Sequence, residues 1–146
     1  MQSPNSHQVG GTHYQAPFQH WDFVLECLEG RYLEGNITKY VCRWRKKNGL
    51  LDLRKSIQYL DKLLTEVQGG PSDPMPLALF HTSHFVARLD YFCRCNGLTE
   101  QEQRVMSLVS DWSGLEDLVA AKELLESMAL REAVAHEASQ VSAAQR

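Results

Sequence analysis

Between Arg31 and Lys62 the chain carries nine Lys or Arg against three Asp or Glu, a local charge of about +6 in a protein of net charge −3. The rest of the sequence must therefore carry about −9. Such a local excess of cations is the chemistry of an anion site: lysine offers a compact point charge, and arginine a planar fork that matches phosphate oxygens. Tyrosines are interleaved with the cations at positions 40 and 59 and can stack on a planar ring. Lys39, Arg43, Lys46 and Lys47 form a basic stripe at helical spacing, and Asp52 and Lys55 follow within one further segment.

Two helices joined by a tight Asn48-Gly49 turn are expected to position these groups. Asn36 has the side chain of an N-cap and Gly49 that of a left-handed stop. Ile37, Tyr40, Val41 and Trp44 recur at a 3.6-residue period, which assigns that face to the core. In a helix begun at Asn36, Lys39 would stand in the first turn, where the dipole disfavours a cation by about 0.3–1 kcal/mol, so helix stability does not account for it. Lys46 and Lys47 would suit the last turn. The second helix starts near Leu51, with Leu53, Ile57, Leu60, Leu64 and Val67 inward and Asp52, Lys55, Ser56 and Tyr59 beside that face.

With 146 residues, 43% of them hydrophobic and 23% charged, the chain can build one compact core. No run approaches 18 apolar residues and the start, MQSPNSHQVGG, has no hydrophobic signal segment; a cytoplasmic protein without a membrane span is expected. Cys27, Cys42, Cys93 and Cys95 include no C-x-x-C pair and read as free, largely buried thiols. A pI near 6.0 argues against a nucleic-acid coat protein and leaves room for a small basic pocket.

In chain order, Gly10-Gly11-Thr12-His13-Tyr14 combines two permissive glycines with a titrating group and an aromatic face. Phe18, Trp21, Val24, Leu25 and Leu28 give a first amphipathic helix ending at Gly30, with Asp22 in its first turn. Gly30 and Gly35 have P-loop spacing, but Asn36-Ile37 follow where a Walker motif needs Lys-Ser/Thr. Residues 69–76, GGPSDPMP, read as a linker. Beyond it a helix is expected over Leu77 to Asn96. Capping boxes at Thr99/Glu102 and Ser113/Glu116 start two more, to about Asp111 and to at least Leu130, with a fraying tail from about Glu137. His81 and His84 lack a third ligand at helical spacing, so no metal site is assigned. The whole reads as an all-α protein, a small helical bundle of about five or six helices in two subregions, residues 10–68 and 77–137.

The ordered strings GGTHY, PFQHWDF and LEGNITKYVCRWRKKNGLLDLRKSIQYLDKLL resemble a family of small phage-encoded domains of unknown function that includes a Walker-less deoxynucleoside monophosphate kinase from a podophage. The resemblance covers about residues 10–67. It implies a nucleotide kinase-like protein, with Lys39, Arg43, Asp52 and Lys55 as catalytic groups and His13, Tyr14, Asn36, Tyr40, Lys47 and Tyr59 as nucleotide-binding groups. Mg²⁺ is the implied cofactor of a kinase, and Asp52 either holds it through water or orients Lys55.

Two classes of function stay open at this point. One is an enzyme that moves a phosphoryl group from a nucleoside triphosphate to a deoxynucleoside monophosphate; the other is a non-catalytic module that holds a nucleotide or cyclic nucleotide, as in sequestration or anti-defence. At about 4 Å and an effective dielectric near 20, each cation–phosphate pair has roughly 4 kcal/mol of Coulomb energy before desolvation, enough in twos and threes for micromolar binding. A pyrophosphohydrolase would need a second acidic pair to match Glu26 and Glu29. Aromatic positions on several faces of the N-terminal half imply a homo-oligomer.

Overall fold

The computed structural model describes residues 3–6, 9 and 15–146, and within them the chain is all-α. Six helices follow in order: α1 (His20–Cys27), α2 (Tyr32–Arg43), α3 (Leu50–Val67), α4 (Phe85–Cys95), α5 (Glu100–Ser110) and α6 (Leu115–Ala144). Among the described residues, no helix is long and apolar enough to cross a membrane. Helix α3 packs against α2 and α6, α5 against the same two, and α1 against α4. Residues on both sides of the 69–76 segment enter one hydrophobic core, from Phe23, Ile37 and Leu60 to Phe92, Met106, Trp112 and Leu125.

Helix α1 is shorter than its hydrophobic pattern implied, and its inward face is different. Phe23 and Cys27 are buried, together with Phe18 and Leu28 beside the helix, while Trp21 and Leu25 are exposed. Two turns contain too few repeats to fix the phase of the pattern. Phe23 stacks on Phe92 of α4, with ring centroids 4.2 Å apart and planes at 21°. Phe18 meets Phe92 edge to face at 5.4 Å, so three rings from three segments close this end of the core.

Helix α2 begins at Tyr32, four residues before the Asn36 start expected from the sequence. Gly30, with φ of 68°, turns the chain out of α1; Arg31 is extended and Glu34 falls in the first turn, where an acid suits the helix dipole. Asn36 is therefore no cap: its Nδ2 donates to the Tyr32 carbonyl at 2.9 Å. Lys39 is likewise clear of the first turn, and the dipole argument against it lapses. Gly35 is buried, and a Cβ there would stand 3.4 Å from Val24 Cγ1, so the α2 backbone runs directly beside α1. The helix ends at Arg43, which leaves Lys46 and Lys47 in a turn. Gly49 closes that turn at φ of 54°, its N–H bonded to the Trp44 carbonyl at 2.8 Å.

Three further expectations are corrected in the second half. The stretch from Leu77 is a 3-10 turn (Leu77–Phe80), and the α-helix starts only at Phe85. His81 is the reason. Its Nε2 lies 2.6 Å from the Ser110 carbonyl and its ring stacks on Phe85, so residues 81–84 are held in a break. At α6 the acid that caps is Asp117, which accepts from Ser113 N and Oγ at 2.8 and 3.0 Å, rather than Glu116. Helix α6 also continues to Ala144 through the alanine-rich tail. The Thr99/Glu102 box forms as expected at α5, with bonds of 2.9 and 3.2 Å.

The aromatic cluster makes a direct test of this core. Phe92→Ala should lower unfolding free energy by about 3–5 kcal/mol in urea titrations, whereas Val86→Ala, on the exposed side of the same helix, should stay within about 0.5 kcal/mol.

Candidate functional site

The basic residues converge on one tyrosine. Arg43 Cζ lies 4.7 Å from the Tyr40 ring centroid, Lys55 Nζ 5.5 Å and Lys39 Nζ 5.6 Å. The Tyr40 ring is stacked on Tyr59, with centroids 5.9 Å apart and planes at 16°, and Tyr32 meets Tyr59 edge-on at 5.9 Å. Helices α2 and α3 bring these groups together because Ser56, fully buried between them, donates its hydroxyl to the Ile37 carbonyl at 3.0 Å and keeps the two backbones close. Lys39, Tyr40, Arg43, Lys55 and Tyr59, five of the residues chosen from the sequence, thus share one surface.

Asp52 is wholly buried beneath it. Its two oxygens accept from Arg43, Nε to Oδ2 at 3.0 Å and Nη2 to Oδ1 at 3.2 Å, and Asn48 Nδ2 approaches Oδ1 at 3.4 Å. The group it orients is therefore Arg43, across the turn. This two-point pairing fixes the plane of the guanidinium. With both oxygens engaged and out of solvent, Asp52 presents no free oxygen to a metal ion. Among the described residues, no three His, Cys, Asp or Glu converge on a point that would hold a metal ion. Asp22 is half-buried and accepts from Asn5 Nδ2 at 2.5 Å.

Two concavities adjoin the cations. A narrow recess of about 30 Å³ is lined by Lys39, Arg43, Lys46, Lys47, Cys42, Asn96 and His20. An open groove of about 730 Å³ lies alongside the first turns of α2, with Trp21, Leu25, Tyr32, Asn36 and Gln19 among its walls. His20 and Lys39 border both. Lys47 lines the recess with Lys39 and Arg43, Asn36 lines the groove, and His13 and Tyr14 fall outside the described residues. Gln19, His20, Trp21 and Tyr32 were not singled out by sequence reasoning. The available signal for the first three was their position within PFQHWDF, but Trp21 reads as core by spacing.

His20 Nε2 lies 2.8 Å from Thr38 Oγ1, and the Thr38 hydroxyl donates to the Glu34 carbonyl at 3.0 Å. Thr38 has a single hydrogen, so Oγ1 accepts from the ring and the His20 proton sits on Nε2. Burial of the ring, with the Lys39 ammonium adding to it, pushes His20 down to about 4. The histidine is neutral at physiological pH.

The second half of the chain supports the site from behind. Trp112 Nε1 donates to the buried Glu34 carboxylate at 3.0 Å, and Arg31, at the edge of the groove, bonds Glu34 at 2.5 Å while lying over the Trp112 ring. Glu102 takes three donors from the far end of α2: Trp44 Nε1 at 2.8 Å and Arg45 Nε and Nη2 at 2.7 and 2.9 Å. Burial pushes the Glu102 carboxyl up, but the bonds from Arg45, Thr99 and Trp44 outweigh it and hold the group below the ordinary range. Arg45 is thereby committed to an internal contact. The four cysteines are free. Burial pushes Cys27 and Cys93 up to about 11 and Cys42 well above its ordinary value, so these three thiols are unreactive.

Residues 11–61 match the sequence profile of a family described as protein of unknown function, DUF3310. The matched span contains α1, α2 and most of α3, the elements that carry the cations, Tyr40, Tyr59 and the groove. No curated protein and no solved structure matches the chain.

Removing the buried carboxylate should expose the worth of the pair: Asp52→Ala is expected to cost about 3–5 kcal/mol of stability, against less than about 1 kcal/mol for Asp90→Ala in the exposed Arg94–Asp90 pair. For His20 the folded value lies below the unfolded one, so as pH falls from 6.5 toward 4 the unfolded chain takes up a proton that the folded chain refuses. Stability must fall with falling pH in that window. The urea midpoint of the wild type should drop more between pH 7 and 4.5 than that of His20→Gln, which keeps an amide donor for Thr38.

Proposed function

We propose that the surface around Tyr40 binds the phosphate of a nucleotide, and that the chain acts as a nucleotide kinase-like phosphotransferase on a deoxynucleoside monophosphate. The observation that carries the reading is the convergence of Lys39, Arg43 and Lys55 within 5.6 Å of a single ring centroid. One carboxylate, Asp52, is paired with this group of three cations, and neither Lys39 nor Lys55 has a carboxylate partner among the described residues. Like charges held this close repel one another, and a phosphate monoester of charge near −2 relieves that repulsion.

The chemistry asks little of the protein beyond placement. An acceptor monophosphate, with a second pKa near 6, already presents an anionic oxygen at neutral pH and needs no general base. In the transfer, the bond between the terminal phosphorus of the triphosphate and its bridging oxygen breaks as a new P–O bond forms to the acceptor oxygen, leaving two diphosphates. Charge spreads over the equatorial oxygens of the moving group, and fixed cations stabilise it. Arg43, held rigid by Asp52, and Lys39 and Lys55, each a mobile point charge, supply the two kinds of contact that such a group uses.

A second reading is a module that holds the nucleotide without turning it over. It is favoured by Asp52 being committed to Arg43, which leaves no acid in the cluster to organise a metal-bound donor. A thermal-shift series with deoxynucleoside monophosphates, nucleoside triphosphates and cyclic nucleotides, with and without Mg²⁺, separates the two. Any bound ligand at 100 times its Kd should add about 2.7 kcal/mol of stability. New diphosphate formed from added triphosphate supports the kinase; stabilisation without product supports the module; no shift with any ligand defeats both. Lys39→Ala and Lys55→Ala should each weaken binding by about tenfold while leaving the helical circular dichroism unchanged.

A further inference from the structure

We infer that the groove beside the cation cluster seats the base of the same nucleotide, and that Gln19 is its specificity-determining residue, accepting a hydrogen bond from a ring N–H or amino group. The inference rests on the nucleotide reading and adds to it the part of the ligand that is discriminated. Gln19 lines the groove and is only 5% exposed. Its Nε2 donates to the Asn5 carbonyl at 2.6 Å, which settles the orientation of the amide, because a carbonyl can only accept. The other end of the amide, Oε1, is buried and has no hydrogen-bond partner among the described residues. A buried acceptor left unpaired is unfavourable and rare in folded proteins, and a donor on a ligand that reaches the groove floor would satisfy it.

The surroundings fit a flat, partly polar ring. The exposed indole of Trp21 and phenol of Tyr32 line the groove and offer faces for stacking, with Val24 and Leu25 as apolar wall between. A volume of about 730 Å³ is in the range of small-molecule sites. The same groove is continuous with the phosphate end, since His20 and Lys39 border both concavities. One molecule lying across that border would place its anionic end by Lys39 and Arg43 and its ring against Gln19. The acceptor then discriminates: a ring that presents N–H or NH₂ at the floor gains a hydrogen bond, and one that presents a lone pair there meets a second acceptor and is repelled.

The test is calorimetric titration of the full chain with the four deoxynucleoside monophosphates and with 2-deoxyribose 5-phosphate, which lacks a base. The wild type should bind its best nucleotide at least about tenfold tighter than the sugar phosphate and should separate the best base from the worst by about tenfold or more. Gln19→Met should shrink that spread to within about threefold and leave the sugar phosphate within about twofold. Should Gln19→Met not fold, an N-methylated form of the best base, lacking the donor, should bind the wild type about tenfold more weakly. An unchanged spread in Gln19→Met, or equal binding of the methylated base, overturns the role of Gln19 alone. Nucleotides no tighter than the sugar phosphate overturn the base seat while sparing the phosphate site. No binding of any of the five overturns the nucleotide reading and this inference together.

Discussion

A wholly buried carboxylate holding a guanidinium at two points is the constraint on which the candidate site depends. Ionised Asp52 could not remain under α2 and α3 without a cation against it, since desolvation of a lone charge costs several kcal/mol. Arg43 meets that need, and in doing so ceases to be a freely rotating surface side chain. The face of its guanidinium is fixed over Tyr40, Tyr40 is fixed against Tyr59, and Lys39 and Lys55 join them because Lys39 lies one helical turn from Arg43, and Lys55 one turn from Asp52 and from Tyr59. On the proposed reading, the surface is preorganised for a phosphate by an interaction that lies underneath it.

The parts of this arrangement that were legible in the sequence are those set by a single helix. Lys39 and Arg43 share a face because four residues make about one turn, and Leu53, Leu60 and Leu64 are buried because eighteen residues of α3 give enough repeats to fix their phase. What was not legible is what lies between elements. Asp52 pairs with Arg43 across the Gly49 turn rather than with Lys55 on its own helix, and no spacing rule reaches across a turn of unknown geometry. Asn36 carries the strongest local signal for an N-cap in its segment, yet Gly30 and Glu34 together start the helix a full turn earlier. Gln19, His20 and Trp21 escaped notice for the same reason: only the packing of α1 on α4, through Phe23 and Phe92, shows which way Trp21 points.

Division of labour between the two halves of the chain follows from the contacts. The segment that matches the family profile carries every cation of the cluster, but its helices are not self-sufficient. Glu34 would be a buried acid with Arg31 alone if Trp112 did not donate to it, and the end of α2 would carry Trp44 and Arg45 without an acceptor if Glu102 were absent. Each contact joins an N-terminal cation or indole to a C-terminal partner, or the reverse. A buried polar group left unpaired costs stability, so the second half helps the first to hold its shape.

Neutrality of His20 follows from the same economy of charge. Its ring stands where the groove meets the recess, beside the Lys39 ammonium, and a second positive charge there would add to a crowd of cations that has one buried counterion. Donating its one proton to Thr38 leaves the ring as an uncharged divider between an apolar cleft and a basic one. A ligand that spans the divider must therefore be apolar and aromatic on one side and anionic on the other. Nucleotides have that asymmetry. On the nucleotide reading, an inorganic anion would use only the recess and a bare ring only the groove, whereas a molecule that carries both would use the whole site.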